Sequence, residues 1–334
     1  MTTHANATTA RFLLLAAVWG SSFSFIKVSL EGLTPGQLVL TRLVLGAAVL
    51  LTIASVKGIR LPTSYGTWRH IAVAAVFGNV APFLLLSYGE RSAGAGMAGV
   101  LIGATPLVAL GIAALALPAE RVTRRKVLGL LVGFAGVVLV IDPWRDTGGS
   151  TGARIACLAA AFSYAIGFVY VRRFLSPRGL APLALAASQL TAAAVLLALA
   201  TPFLAWPAPE VGFRVAASVG LLGLLGTGLA YVLYFRLIGD LGAVTASAVN
   251  YVVPVFAVVI SIVLLGEPLT WNLVAGGVVV LAGVAYAENR VLIRTHPGGR
   301  RAGPTSANAA PSATRQSRNG VSPAARQRCV PSTE

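Results

Sequence analysis

The sequence predicts an all-α membrane protein, with ten transmembrane helices arranged as two inverted five-helix repeats. Three observations predict it. The first is composition: of 334 residues 56% are hydrophobic and 11% charged, and the mean hydropathy is +0.81. Soluble domains carry roughly 25% charged residues, so the polar side chains here are too few to cover such an apolar chain, and lipid must be its solvent. The second is the confinement of charge to short intervals between ten apolar windows. The third is an internal repeat. The segment from Leu117 to Val137 returns 147 residues later as Leu264 to Val284, with Leu117/Leu264, Glu120/Glu267, Thr123/Thr270, Val127/Val274, Gly129/Gly276, Val132/Val279, Ala135/Ala282, Gly136/Gly283 and Val137/Val284 identical.

The windows free of Asp, Glu, Lys and Arg run 12 to 26, 43 to 56, 71 to 89, 92 to 119, 127 to 141, 155 to 171, 179 to 209, 215 to 235, 241 to 266 and 268 to 287. A spanning helix needs about 20 mostly apolar residues, and Lys or Arg stems that snorkel to the interface complete the shorter windows. The second window begins only after Arg42, and the fifth follows a cationic run.

Orientation follows from Lys and Arg alone. With the N-terminus inside, twelve cations ahead of the tail fall on the cytoplasmic side, against Lys27, Arg42, Arg91, Arg145, Arg154 and Arg214 on the other. That bias fits both termini inside. Glu120 then sits in an inner loop rich in Arg and Glu267 in an outer loop without a cation, so charge supports inversion independently of the sequence match. The repeat extends further. Leu15-Ala-Ala-Val-Trp-Gly-Ser is echoed by Leu158-Ala-Ala-Ala-Phe-Ser-Tyr, Arg42-Leu-Val-Leu-Gly-Ala-Ala by Gln189-Leu-Thr-Ala-Ala-Ala-Val, and Gly94-Ala with Pro106 by Gly242-Ala with Pro254. The expected organisation is a cytoplasmic segment 1–10, a first repeat 11–142, an outer loop 143–151, a second repeat 152–289 and a basic cytoplasmic tail 290–334.

The net charge of +16 does not point to nucleic acid, because eight of the cations lie from Arg290 onward in a Gly-, Pro-, Ser- and Ala-rich tail with one acid. Such a tail cannot bury enough apolar area to fold and reads as a disordered, solvated anchor near anionic headgroups. Cys157 falls inside a helix and Cys329 in the tail, and neither has an evident disulfide partner. No small-residue cleavage site follows the first apolar stretch before Lys27, so the first helix reads as retained.

Trp19-Gly-Ser-Ser-Phe, Thr41-Arg-Leu opening the second helix, the Gly-rich entry to the fourth ending in Thr105-Pro106, and the doubled Leu-x-x-Glu-x-x-Thr motif with its Gly-Val ending together resemble the EamA family of the drug/metabolite transporter superfamily, over residues 11 to 289. The resemblance implies a ten-helix carrier of small metabolites, amino-acid-like or amphiphilic compounds, often an exporter. It also implies a path lined by helices three, four, eight and nine, with five and ten as scaffold.

In a carrier of inverted halves the substrate sits near the midplane, where equivalent helices meet. Polar or aromatic groups at that depth are the candidates, because an unsatisfied polar group in hydrocarbon costs several kcal/mol. We expect Trp19, Ser22, Asn79, Tyr164, Tyr231, Asn250 and Tyr251 to bind substrate. Ser21, Thr105, Ser163, Thr227 and Ser247 pass the same depth test, but the plain reading of a lone Ser or Thr is a bond to its own helix backbone. For Asn79 and Asn250 helix–helix glue competes with cavity lining. Pro82, Pro106 and Pro254 interrupt helix hydrogen bonding and are the expected hinges. Gly99/Gly103 and Gly129/Gly133 permit close helix approach, the second pair as static packing. Lys27 and Arg42 are the deepest charges and read as snorkelling, with a gate or an anion site as the sharper alternative. No Asp, Glu or His lies in mid-span, so no coupling residue is evident.

Three His at positions 4, 70 and 296 and scattered acids supply neither a catalytic constellation nor a metal set, so neither an enzyme nor a cofactor is expected. A non-transporting receptor or assembly protein is the competing class. The expected partners are a small-molecule substrate and the bilayer. One chain already contains both halves, so a monomer suffices, although an oligomer is possible.

Overall fold

The structure is a computed structural model. It describes residues 2–116, 123–142, 151–203, 206–241, 246 and 249–287, with side chains from residue 7. All of these lie within the first of two compact units, Met1–Leu292; the second is Ile293–Glu334. The expectations for the tail, Glu120, the loop 143–150, Gly242, Ser247 and Cys329 fall outside the described residues.

Among the described residues each apolar window is a helix. These are Thr2–Ser29 (α1), Pro35–Val56 (α2), Tyr65–Gly89 (α3), Ala95–Ala116 (α4), Arg124–Ile141 (α5), Thr151–Arg178 (α6), Pro182–Phe203 (α7), Phe213–Leu241 (α8), Val249–Leu265 (α9) and Trp271–Ala287 (α10). Seven are long and apolar enough to cross a membrane. Of the other three, α9 and α10 are apolar but 17 residues long, and α5 opens on Arg124-Arg125-Lys126. Large apolar side chains such as Leu115, Phe134 and Val263 stand on the exterior, which only a lipid environment accommodates at this density. The chain is a multi-pass membrane protein.

Local signals explain the boundaries. α2 starts at a capping box: Thr34 accepts from the Gln37 amide, the Gln37 side chain accepts from the Thr34 amide, and Pro35 occupies the first turn. Arg42 therefore lies two turns inside α2 rather than ahead of it. Thr123 caps α5 through the Lys126 amide. The segment 1–10 does not precede the first helix but continues it back to Thr2, because no Pro or Gly in that stretch ends it.

Packing contacts come in matched sets. α1 packs on α9 and α6 on α4; α2 on α8 and α7 on α3; α3 on α6 and α8 on α1; and α2/α7, α4/α9 and α5/α10 are further pairs. At the α5/α10 crossing, a Cβ added to Gly283 would strike the Gly133 backbone and the Gly129 carbonyl, and one added to Gly136 would strike the Val280 amide and the Gly276 carbonyl. Early residues of α5 thus meet late residues of α10 and the reverse, so the two helices run antiparallel in backbone contact. The Gly129/Gly133 face, expected from sequence to be a packing face, lies against α10.

α3 and α8 each widen into a π-helical stretch midway, Val76–Val80 and Leu222–Leu229. Such stretches free carbonyls and are frequent at functional sites. Pro82 follows the first directly, and Pro106 begins the second part of α4 after a break at Gly103–Ala104, whereas Pro254 sits inside an unbroken α9. The α8 stretch needs no proline; its sequence, Leu-Gly-Leu-Leu-Gly-Thr-Gly-Leu, holds three glycines instead.

Candidate functional site

The π-helical stretches of α3 and α8 hold the polar centre of the bundle. Arg42 on α2 is 7% exposed, and its Nε donates to Thr227 Oγ1 on α8 at 2.8 Å. Its guanidinium carbon stands 3.9 Å from the centre of the Phe83 ring on α3, a cation–π contact. Tyr164 on α6 and Tyr231 on α8 both face this charge. Among the described residues no carboxylate pairs with it. Snorkelling is therefore not what Arg42 does: its chain turns into the bundle, where the Thr227 hydroxyl and the Phe83 ring meet it.

A second bond matches the first. Gln189 Nε2 on α7 donates to Asn79 Oδ1 on α3 at 2.9 Å and to the Ala74 carbonyl at 3.2 Å. Asn79 is 1% exposed, and its side chain lies beside that of Tyr231. Gln189 follows Arg42 by 147 residues in the repeat, and Thr227 follows Asn79 by 148, the spacing that also separates Gly94 from Gly242 and Pro106 from Pro254. In each case the second helix of one half bonds to the widened third helix of the other.

The structure joins Asn79, Tyr164 and Tyr231 to this centre. Phe83 and Tyr164 meet edge to face with centroids 6.2 Å apart. Trp19 sits one turn further along, against Tyr234 at 5.4 Å. Ser22 donates to its own helix at Val18, the plain reading, while packing beside Gly226. No described contact links Asn250 or Tyr251 to Arg42; their helix packs on α1 through Gly20 and on α4 through Gly99 and Gly103. From sequence Arg42 read as a snorkelling charge, with a gate or anion site as the alternative, and Thr227 as one of several hydroxyls; Gln189 and Phe83 were missed. The pairing of Arg42 with Gln189 in the repeat was the available signal for Gln189.

The bundle end carrying the α1–α2, α3–α4 and α9–α10 turns is also tied. Lys27 is not snorkelling either: its ammonium donates to the Glu90 and Ala93 carbonyls at 2.6 and 2.9 Å, where α3 ends. Glu267 in the α9–α10 turn accepts from the Ala95 and Gly96 amides at 2.7 and 3.1 Å, placing a carboxylate on the positive N-terminus of α4. Glu90, the residue just past the window 71 to 89, is fully buried there. At the opposite end Arg11 pairs with Asp240 at 2.7 Å in a solvent-accessible bridge, and His70 Nδ1 lies 2.7 Å from the Tyr170 hydroxyl.

Apolar helices wrapped around a buried cation and a hydrogen-bonded polar centre define a polytopic membrane protein. The chain belongs to the EamA-like transporter family, whose model matches residues 9–142 and again 152–287, one match for each half. It is 29% identical over 278 residues to the uncharacterized transporter YdfC of Bacillus subtilis, covering 83% of this chain and 90% of the relative. A probable terminal-alkyne amino-acid exporter of Streptantibioticus cattleyicolor is 29% identical over 287 residues, 84% and 93% of the two chains. The uncharacterized inner membrane transporter YedA of Escherichia coli K12 is 29% identical over 301 residues, 85% and 91%. A crystal structure at 22% identity superposes with a TM-score of 0.60 over 84% of this chain and 96% of the other, a likeness of fold.

Proposed function

We propose that the protein is a secondary carrier that exports a small, carboxylate-bearing, amino-acid-like or amphiphilic solute by alternating access. In this reading all ten helices span the cell membrane as two inverted halves with both termini cytoplasmic. The observation that carries it is Arg42, a buried guanidinium without a described carboxylate partner, set among Phe83, Tyr164 and Tyr231. A charge inside a membrane protein faces a pathway and takes a counter-charge, and an Arg fork suits a carboxylate in a way a point charge does not. The rings offer the rest of the solute an apolar bed. A groove of about 370 Å³ on the same α2–α8 seam, lined by Leu33, Thr41, Leu45, Trp206 and Val219, is a place for a longer apolar tail. The exporter relative supports an amino-acid-like class and outward direction, and the inner-membrane relative supports the compartment.

Inversion is supported by the antiparallel α5/α10 contact and by the paired Arg42–Thr227 and Gln189–Asn79 bonds. The widened stretches of α3 and α8, with the break before Pro106, are the bending points of the cycle, and Pro82, Pro106 and Pro254 are its hinges.

A ligand-stabilisation screen of the purified protein against amino acids, nucleosides and hydrophobic cations tests the reading, since a bound solute raises the melting temperature with occupancy. Carboxylate-bearing solutes should stabilise the wild type and not Arg42→Gln. Equal stabilisation of both by cations would count against the site. Cysteines at the exposed Thr123 and Thr270 should label from the inside and the outside respectively, and labelling from one face would refute the inversion.

A further inference from the structure

We propose that Glu90 is a proton-binding site of this carrier, and that its proton holds one end of the bundle closed. The inference rests on the transport reading only for its place in a cycle. Glu90 follows α3 at the turn into α4; the side chain is 0% exposed, and neither carboxyl oxygen has a hydrogen-bond partner among the described residues. An ionised carboxylate stripped of donors in such a place is strongly disfavoured, and a neutral carboxyl is not.

The surroundings point the same way. On α1, Lys27 is the main opposing charge, but its ammonium is already held by the main-chain carbonyls of Glu90 and Ala93. Arg42 on α2 is engaged with Thr227 and Phe83. Glu267 in the α9–α10 turn is a like charge committed to the α4 N-terminus. On α6, Cys157 packs at Gly89, and Arg154 donates to the Ile141 carbonyl; Arg91 adjoins on the same turn. Burial pushes the Glu90 carboxyl well above its ordinary range, with Lys27 opposing and Glu267 adding to the shift.

The repeat sharpens the case. At the spacing that pairs Asn79 with Thr227, the counterpart of Glu90 is Ile238. A half-buried apolar position in one half is thus a fully buried acid in the other, and packing does not require it. When the proton leaves to solvent, the carboxylate must hydrate or draw Lys27 off the carbonyls that close the α3–α4 turn. Either response loosens the junction of α1, α3, α4 and the α9–α10 turn. Protonation closes this end and deprotonation opens it, which is what a proton-driven carrier requires of its coupling group.

The test needs no solute, so its failure and that of the transport reading are separable. In purified protein, infrared spectra should contain a protonated carboxyl stretch at neutral pH that is lost on raising the pH and is missing from Glu90→Gln. Amide exchange across residues 90–96 should accelerate on that loss, beyond the chemical effect of pH, in the wild type alone. The sign of the stability change is also set. A carboxyl raised in the folded state binds more protons folded than unfolded, so wild-type stability should fall relative to Glu90→Gln as pH climbs from the ordinary carboxylate range through the folded pKa. If Glu90→Gln does not fold, Glu90→Asp serves, because it moves the band to the aspartic acid position. Absence of the band in the wild type at neutral pH, or its persistence in Glu90→Gln, overturns the proposal. Counterflow of radiolabelled L-phenylalanine, L-threonine and L-lysine in liposomes, which needs no proton gradient, tests carriage of amino acids on its own.

Discussion

The bonds Arg42–Thr227 and Gln189–Asn79 occupy equivalent places in the two halves, yet one carries a charge and the other is a neutral amide pair. The scaffold is duplicated while its chemistry is not. Gln189 is spent on Asn79 and Ala74, so its donors are used within the protein. Arg42 gives only its Nε to Thr227, and Thr227 donates onward to the Leu222 carbonyl that the π-helical stretch leaves in reach. The difference teaches that duplication sets where helices touch, and divergence at one of two matched positions sets what the centre attracts. Glu90 opposite Ile238 is the same lesson at the bundle end.

The comparison can be broken most severely at the scaffold. Gly136→Leu and Gly283→Leu occupy matched places in the α5/α10 crossing and press on backbone rather than on movable side chains. Each should cost about 3 kcal/mol or more, the upper range for overpacking, with similar loss of monodisperse protein on size exclusion; a large inequality between them would argue against equivalence. Next comes the charge. Arg42→Gln makes the two halves chemically alike and should remove roughly 1.5–3 kcal/mol of binding to a carboxylate solute, about a tenfold to hundredfold rise in Kd by calorimetry.

On the neutral side, Asn79→Ala leaves the Gln189 amide short of an acceptor in a buried setting and should lower stability by about 1–3 kcal/mol. Unlike Arg42→Gln, its effect should appear in the melting temperature of the free protein. The smallest change belongs to the exposed bridge between α1 and α8. Asp240→Asn should shift stability by about 1 kcal/mol or less, and high salt should erase the difference.

Much of the architecture was legible because each helix must bury or present a whole apolar surface, so that among the described residues each of the ten windows holds a helix. Boundaries were less legible from charge alone. The window after Arg42 misplaced the start of α2, although Thr34-Pro-Gly-Gln37 spells a capping box that hydrogen-bond chemistry reads directly. Hinges were read from proline, and that signal is local: it found the α3 and α4 irregularities but had no purchase on the glycine-rich stretch of α8.

Composition, windows and the repeat belong to the sequence, because they follow from transfer free energy and from symmetry in the order of residues, both additive along the chain. Whether Arg42 and Lys27 lean toward lipid headgroups or into the bundle does not, since both directions satisfy the same hydropathy. That choice is made by partners distant in sequence: Thr227 and Phe83 for Arg42, and the α3–α4 turn for Lys27. The burial of Glu90 is equally a tertiary decision. A carboxyl one residue past a helix reads as solvated until α1, α6 and the α9–α10 turn close over it, and the desolvation that gives it a function exists only once they have packed.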